Sequence, residues 1–129
     1  MQGLHLTADL RGCDPRLPLM TDPAALRDCC VRAVGAAGLG AVAELFHRFT
    51  PAAEGEPSGI TGVVLLAESH LAIHTWPELG GVTLDVYVCN YGADNSDKAR
   101  QLMATLVRDF APRELQCQTL HRGQGDSAA

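Results

Sequence analysis

The sequence is short of basic charge and has no long apolar run, and each absence argues against a class of protein. Its 129 residues include 15 acidic and 10 basic side chains, for a formal net charge of -5. Because phosphates need a basic surface, this balance argues against nucleic acid as the main partner. Spanning a bilayer takes roughly 18 to 20 apolar residues in a row. No segment reaches that length, so we expect no membrane partner.

The sequence also predicts neither a signal peptide nor a disulfide framework. The first residues, Met-Gln-Gly-Leu-His-Leu, have neither the basic nor the apolar region of a secretory signal. The cysteine count is odd, two cysteines are adjacent, and no C-x-x-C pair occurs. We therefore expect a cytoplasmic protein whose thiols are reduced and mostly packed as small hydrophobic groups. The five cysteines are Cys13, Cys29, Cys30, Cys89 and Cys117.

What remains is the composition of one packed domain, 47% apolar and 19% charged, which we expect to span residues 1–129. Periodicity predicts two helices, over about residues 22–37 and 94–110. Strands are predicted over residues 5–10, 42–49, 60–67, 71–76, 82–89 and 115–121. The nearly continuous apolar run of the third strand predicts burial, complete or nearly so, on both of its faces. Loops are predicted over residues 11–19 and 51–58, with a frayed tail from residue 123.

The element order β-α-β-β-β-β-α-β leaves few connections for helical crossovers, so a mostly antiparallel sheet is favoured. Two helices on one face of this sheet would make a two-layer α+β sandwich. The opposite face also needs a cover, and a second copy of the chain is the simplest one. We therefore expect a homodimer.

The densest group of reactive residues is Glu-Ser-His-Leu-Ala-Ile-His-Thr-Trp-Pro-Glu, residues 68–78. A metal site on His70 and His74 would need a helix, but the β-branched and aromatic neighbours predict a strand, on which about 13 Å separates the two residues. A hydrolase nucleophile at Ser69 would lack the G-x-S-x-G elbow. A purely structural interpretation makes His74 a sheet residue, Ser69 a turn residue and Trp76 part of the core.

A fourth interpretation comes from resemblance. Residues 68–78, with Gly-Ile-Thr-Gly-Val-Val before them and Asp-Val-Tyr-Val-Cys after them, closely resemble the bacterial and archaeal S-adenosylmethionine decarboxylase proenzymes. The resemblance covers nearly the whole chain, including His-Arg-Phe at residues 47–49 and Cys-Asp at residues 13–14. It implies an enzyme that decarboxylates S-adenosylmethionine to the aminopropyl donor for spermidine synthesis, working as a dimer with pockets near the interface.

Decarboxylation of an amino acid leaves a carbanion, whose charge needs an electron sink that no side chain supplies. Pyridoxal phosphate would need a lysine, and the sole lysine, Lys98, lies at the start of a predicted helix. The resemblance implies a pyruvoyl group made from Ser69, which would hold the substrate as a Schiff base. Ser69 Oγ would attack the carbonyl of Glu68, and β-elimination would then divide the chain into residues 1–68 and residues 69–129.

The resemblance also implies roles for three helpers. His74 would accept the Cα proton during the elimination. Thr61, where relatives usually have serine, would support the acyl shift through its hydroxyl. Cys89 would return a proton to the substrate Cα after carbon dioxide leaves.

The resemblance also implies residues that bind the substrate, and it implies no metal ion. Phe49 and Trp76 would stack on adenine, and Glu78 would accept hydrogen bonds from the ribose hydroxyls. The sequence departs from the family pattern at residues 52–58, a longer link than usual that lies next to Phe49. We expect this link to reshape the mouth of the pocket.

Two alternatives remain. A pyruvoyl enzyme of the same fold could act on ornithine or arginine, but a small aliphatic amino acid gives the aromatic rings nothing to stack on. An unprocessed regulatory or binding subunit would have no need of the intact Glu68-Ser69 pair together with His74 and Cys89.

Overall fold

A computed structural model describes residues 1–123 and contains one six-stranded sheet. The strands are β1 (Gly3–Arg11), β2 (Ala41–Arg48), β3 (Ile60–Leu66), β4 (Ser69–Trp76), β5 (Gly81–Cys89) and β6 (Glu114–Arg122). The helices are α1 (Pro18–Thr21), α2 (Pro23–Ala36) and α3 (Ser96–Phe110).

The strand order in the sheet is β2-β3-β4-β5-β1-β6, and each pair of neighbours is antiparallel. Helices α2 and α3 pack against one face, which we call the inner face. This arrangement confirms the predicted α+β sandwich with a mostly antiparallel sheet and two helices on one face. The opposite face, the outer face, carries the alternate residues of each strand.

The core lies between the helices and the inner face. Strand β5 shows why, because its alternation puts four apolar side chains on one side, all no more than 1% exposed: Val82, Leu84, Val86 and Val88. Helix α3 contributes apolar residues at three- and four-residue steps, namely Ala99, Leu102, Met103, Leu106 and Phe110. Burial of these side chains is the main stabilising contribution to the fold.

The helix ends follow local rules. Asp22 caps α2 by accepting a hydrogen bond from the Ala24 amide at 3.0 Å, and Pro23 occupies the first turn. Before α3, Asp94 accepts from the Ser96 amide at 3.0 Å. These contacts fix where the two helices begin, close to the positions that the sequence predicts.

Three local predictions need correction. The predicted loop over residues 11–19 is wrong at its ends, because β1 continues through Arg11 and α1 begins at Pro18. Strand β4 begins at Ser69, two residues earlier than predicted. The outer face of β3 is not fully buried, since Leu65 is 47% exposed and no other element of residues 1–123 covers it. The predicted frayed tail falls mostly on residues 124–129, outside the described residues.

Within the described residues, no helix is long and apolar enough to cross a membrane.

A buried threonine ties three elements together on the inner side of the sheet. Thr75 is 3% exposed, donates to the Met20 carbonyl at 2.9 Å and accepts from the Ile60 amide at 2.9 Å.

We expect Thr75→Val to lower the free energy of unfolding by about 2–4 kcal/mol, because two buried backbone groups lose their partner. The urea midpoint measures this loss. Thr75→Ser keeps the hydroxyl and should lose only about 1 kcal/mol. Equal midpoints for the valine variant and the wild type would contradict this role.

Candidate active site

The proposed cleavage point lies in the tight turn between β3 and β4. Leu66 pairs with Ser69 across the hairpin, so only Ala67 and Glu68 make the connection. Glu68 has a φ of 54°, in the left-handed region that costs a non-glycine residue about 1–2 kcal/mol. The backbone is therefore strained at the residue whose carbonyl forms the Glu68–Ser69 peptide bond.

Ser69 and Cys89 meet across the strand ends. The Ser69 hydroxyl oxygen accepts a hydrogen bond from the Cys89 amide at 3.0 Å. The Cys89 carbonyl in turn accepts from Asn95 Nδ2 at 2.9 Å, which fixes the end of β5 against the start of α3. Two residues predicted for different steps of the reaction are thus neighbours, at one end of the sheet.

An aromatic and histidine cluster adjoins this pair on the outer face. The rings of His70 and Tyr87 lie 5.7 Å apart, and His5 lies 5.9 Å from Tyr87 and 6.2 Å from His70. His5 Nε2 lies 3.4 Å from an Asp85 carboxylate oxygen. Partial burial, and secondarily the nearby His5, lowers the pKa of His70. Sequence reasoning missed this cluster, although strand alternation and register place all four residues on one face.

A second group of predicted residues lies at the other end of β4. Thr61 Oγ1 and His74 Nδ1 are 3.1 Å apart, as directly opposed residues of β3 and β4. The ring of Trp76 lies 5.9 Å from that of His74. Trp76 is 38% exposed and Phe49 is 50% exposed, so neither is a core residue. The purely structural interpretation, which made Trp76 part of the core, is therefore wrong for that residue.

These side chains line an open cavity of about 850 Å³ that is large enough for a nucleoside. Its wall includes both aromatic residues, Thr61, His74 and Glu78, together with most of the segment over residues 50–58. The Phe49 amide donates to the Gly59 carbonyl at 3.0 Å and closes the base of that segment. The cavity therefore brings together five of the residues predicted to bind substrate or support processing.

The two groups do not meet within one chain. Ser69 and His74 are five residues apart on β4, which corresponds to about 16 Å at the usual rise of a strand. A group that removes a proton must come within about 3 Å of it, directly or through one water. His74 therefore cannot reach Ser69 of its own chain.

Other reactive residues have structural surroundings. Burial, and then the nearby Asp109 carboxylate, raises the pKa of Cys29 to about 11, so this thiol stays protonated at neutral pH. Burial also raises the pKa of Cys30 and of Cys13. Lys98 is exposed in the first turn of α3, away from the cavity wall. Over residues 1–123, no group of three His, Cys, Asp or Glu side chains is placed to hold a metal ion.

Known proteins are similar to this chain in sequence and in fold. The family model of S-adenosylmethionine decarboxylase matches residues 4–123. An S-adenosylmethionine decarboxylase proenzyme of Aquifex aeolicus is 38% identical over 122 residues, which cover 94% of this chain and 81% of that protein. A proenzyme of Carboxydothermus hydrogenoformans is 34% identical over 121 residues, covering 94% and 86%.

Solved structures of the same family are similar to this fold. The crystal structure of the adenosylmethionine decarboxylase from Aquifex aeolicus matches with a TM-score of 0.80 at 36% identity, covering 94% of this chain and 90% of that one. A Trypanosoma brucei AdoMetDC monomer matches with a TM-score of 0.55 at 15% identity, covering 88% of this chain and 44% of that one, which supports the fold alone. From the family match and the shared fold together, this chain belongs to the S-adenosylmethionine decarboxylase family.

Proposed function

We propose that this protein is a self-cleaving, pyruvoyl-dependent S-adenosylmethionine decarboxylase, whose product donates aminopropyl groups to spermidine synthesis. The observation that carries the proposal is the contact between Ser69 Oγ and the Cys89 amide beside the strained Glu68 residue. It holds a hydroxyl nucleophile, through the backbone of the proposed proton donor, at a peptide bond in a tight turn. Family membership and the nucleoside-sized cavity support the same reaction.

Cleavage begins when Ser69 Oγ attacks the carbonyl carbon of Glu68. The peptide C–N bond breaks, an ester forms, and the amino group of Ser69 is released. Relief of the left-handed backbone at Glu68 favours this step. We propose that the Thr61 hydroxyl, which lies beside His74, assists the acyl shift.

Elimination completes the cleavage. A base removes the Cα proton of residue 69, the ester C–O bond breaks, and the carboxyl group of Glu68 is released as the new C-terminus. The dehydroalanine left at residue 69 becomes an imine, and water displaces ammonia to leave the pyruvoyl group. We propose His74 as the base, with its orientation fixed by the Thr61 hydroxyl at Nδ1. Two fragments result, residues 1–68 and residues 69–129.

The residues at the cleavage point fit a pyruvoyl group, because Ser69 already has its side chain held at the end of β5. When formed, this group supplies the electron sink that decarboxylation needs. The one lysine of the chain is exposed on α3, which argues against a cofactor held by a lysine near the cavity. Cys89, whose backbone amide donates to Ser69 Oγ, is the proposed donor of the proton that replaces the lost carboxylate.

The cavity suits the adenosine part of the substrate. Phe49 and Trp76 offer two partly exposed rings for stacking on adenine. Glu78 offers a carboxylate for the ribose hydroxyls. Ornithine and arginine would leave these rings unused, which favours the nucleoside substrate over the alternative amino acids.

A complete site needs a second copy of the chain. Because His74 lies about 16 Å from Ser69 along one strand, we propose that a twofold dimer brings the cavity of one copy to the cleavage point of the other. The outer faces are the surfaces that would meet. They expose apolar side chains that such a contact would bury, with Leu45 70%, Leu65 47% and Leu120 48% exposed.

Release of labelled carbon dioxide tests the reaction. We expect the purified protein to release carbon dioxide from carboxyl-labelled S-adenosylmethionine at least about a hundredfold faster than from ornithine or arginine, because the aromatic rings and Glu78 bind only the nucleoside. Assays at equal concentrations of the three substrates measure this preference. Faster release from ornithine or arginine would favour the alternative decarboxylase. No release from any of them would favour a regulatory subunit.

A further inference from the structure

The segment over residues 50–58 forms much of one wall of the cavity, and we call it the cavity loop. It is closed at its base by the bond from the Phe49 amide to Gly59 and by Arg48 Nε donating to Ser58 Oγ at 3.1 Å. Within the loop, the Glu56 amide donates to the Ala53 carbonyl at 3.1 Å and makes a turn. The loop is thus tied at both its base and its tip.

The charged side chains of the cavity wall are acidic. They are the carboxylates Glu56 and Glu78. Among the described residues that line the cavity, none is a lysine or an arginine. Arg48 supplies one guanidinium at the base of the loop, where it bonds to Ser58. Two carboxylates around an open cavity create a negative potential that favours a cationic ligand.

The two carboxylates have different positions in the chain. Glu78 follows β4 and is the one assigned to the ribose hydroxyls. Glu56 comes from the cavity loop, the segment that the resemblance leads us to expect is longer than in relatives. None of the roles that the resemblance implies falls to Glu56.

We propose that Glu56 is a specificity-determining residue that selects cationic sulfonium nucleosides over neutral thioether nucleosides. The inference rests on the proposed function, since it states that Glu56 recognises the positive charge of that substrate. A sulfonium centre carries a full positive charge next to the ribose, whereas a thioether has almost the same shape and no charge. A carboxylate in the wall distinguishes them by charge alone.

Binding of two nucleosides tests this selection without any need for turnover. The probes are 5′-deoxy-5′-dimethylsulfonioadenosine, a cation, and 5′-deoxy-5′-methylthioadenosine, its neutral counterpart. Trp76 is the only tryptophan of the chain and lines the cavity, so its fluorescence reports stacking of either probe. The matched control is Glu54→Gln, a second carboxylate of the cavity loop that is not among the lining residues described.

In Glu56→Gln we expect the Kd of the cationic probe to rise about three- to fivefold at low salt, the range for a solvent-exposed charge pair. The Kd of the neutral probe should change less than about twofold, and the effect on the cation should shrink at high salt. Glu54→Gln should leave both values unchanged. Equal weakening of both probes would mean that Glu56 only shapes the loop, and would overturn the inference. The inference would also be overturned if Glu56→Gln changed the Kd of neither probe, or if Glu54→Gln raised the Kd of the cationic probe by the same factor.

The outcomes separate this inference from the proposed function. If the wild type binds both probes but releases no carbon dioxide from S-adenosylmethionine, the proposed reaction fails while the charge selection by Glu56 can still be supported or overturned by the binding data. If the wild type binds neither probe, the cavity is not a nucleoside site and the inference is overturned as well.

Discussion

Ser69→Ala is expected to give a single uncut chain with no decarboxylase activity. Without Oγ nothing can attack the Glu68 carbonyl, so neither the ester nor the pyruvoyl group can form. We expect activity to fall by at least about a thousandfold, as when the nucleophile of a covalent mechanism is removed. A denaturing gel shows the uncut band, and carbon dioxide release measures the activity.

The fold should survive this change. Ser69 is half-buried at the first position of β4, and its hydroxyl makes a hydrogen bond to the Cys89 amide. Loss of one such bond costs about 1 kcal/mol, too little to unfold a domain. Ser96→Ala, on α3, is the control and should be cleaved like the wild type. A Ser69→Ala chain that still divides into two fragments would rule out the proposed cleavage.

His74→Ala is expected to block cleavage when expressed alone and to be rescued by a partner. Coexpressed with Ser69→Ala, it forms mixed dimers in which one site combines Ser69 of one chain with His74 of the other. If the chains pair at random, about half of the His74→Ala chains meet such a partner and are cut. Fragment yields on a denaturing gel, with an affinity tag on the His74→Ala chain, measure this fraction.

The physical reason is the separation along β4. A base about 16 Å from Ser69 in its own chain cannot remove a proton there, so His74 must act across the dimer. His121→Ala, on β6, is the control and should be cut when expressed alone. If coexpression leaves every His74→Ala chain intact, the proposed arrangement between the two copies is wrong.

Much of the fold could be predicted from alternation and capping. The strict alternation of residues 82–89 predicts β5, and the Asp22-Pro23 pair predicts the start of α2. The prediction for residues 60–67 is wrong on one side of the strand, because a continuous apolar run is typical of a strand covered on both sides. In the single chain, one side of β3 is open, so the apolar character of Leu65 has another cause. A partner surface is the explanation that the dimer proposal offers.

The site was predictable in its members but not in its geometry. Resemblance identifies Ser69, His74 and Cys89 by position. Strand spacing would have shown that Ser69 and His74 are too far apart only if the predicted strand over residues 71–76 had been extended back to Ser69. The left-handed backbone of Glu68 and its two-residue turn follow from tertiary pairing of β3 with β4, which no local pattern reports. For the same reason, the place of Glu56 in the cavity wall needed the structure.

The mass of the purified protein tests the central claim most directly. We predict two polypeptides, residues 1–68 ending in an ordinary carboxyl group and residues 69–129 lighter by one ammonia than a peptide that begins with serine. Borohydride should add two hydrogens to the second polypeptide, as expected for a ketone. A single polypeptide of 129 residues, unchanged by borohydride, would contradict the account.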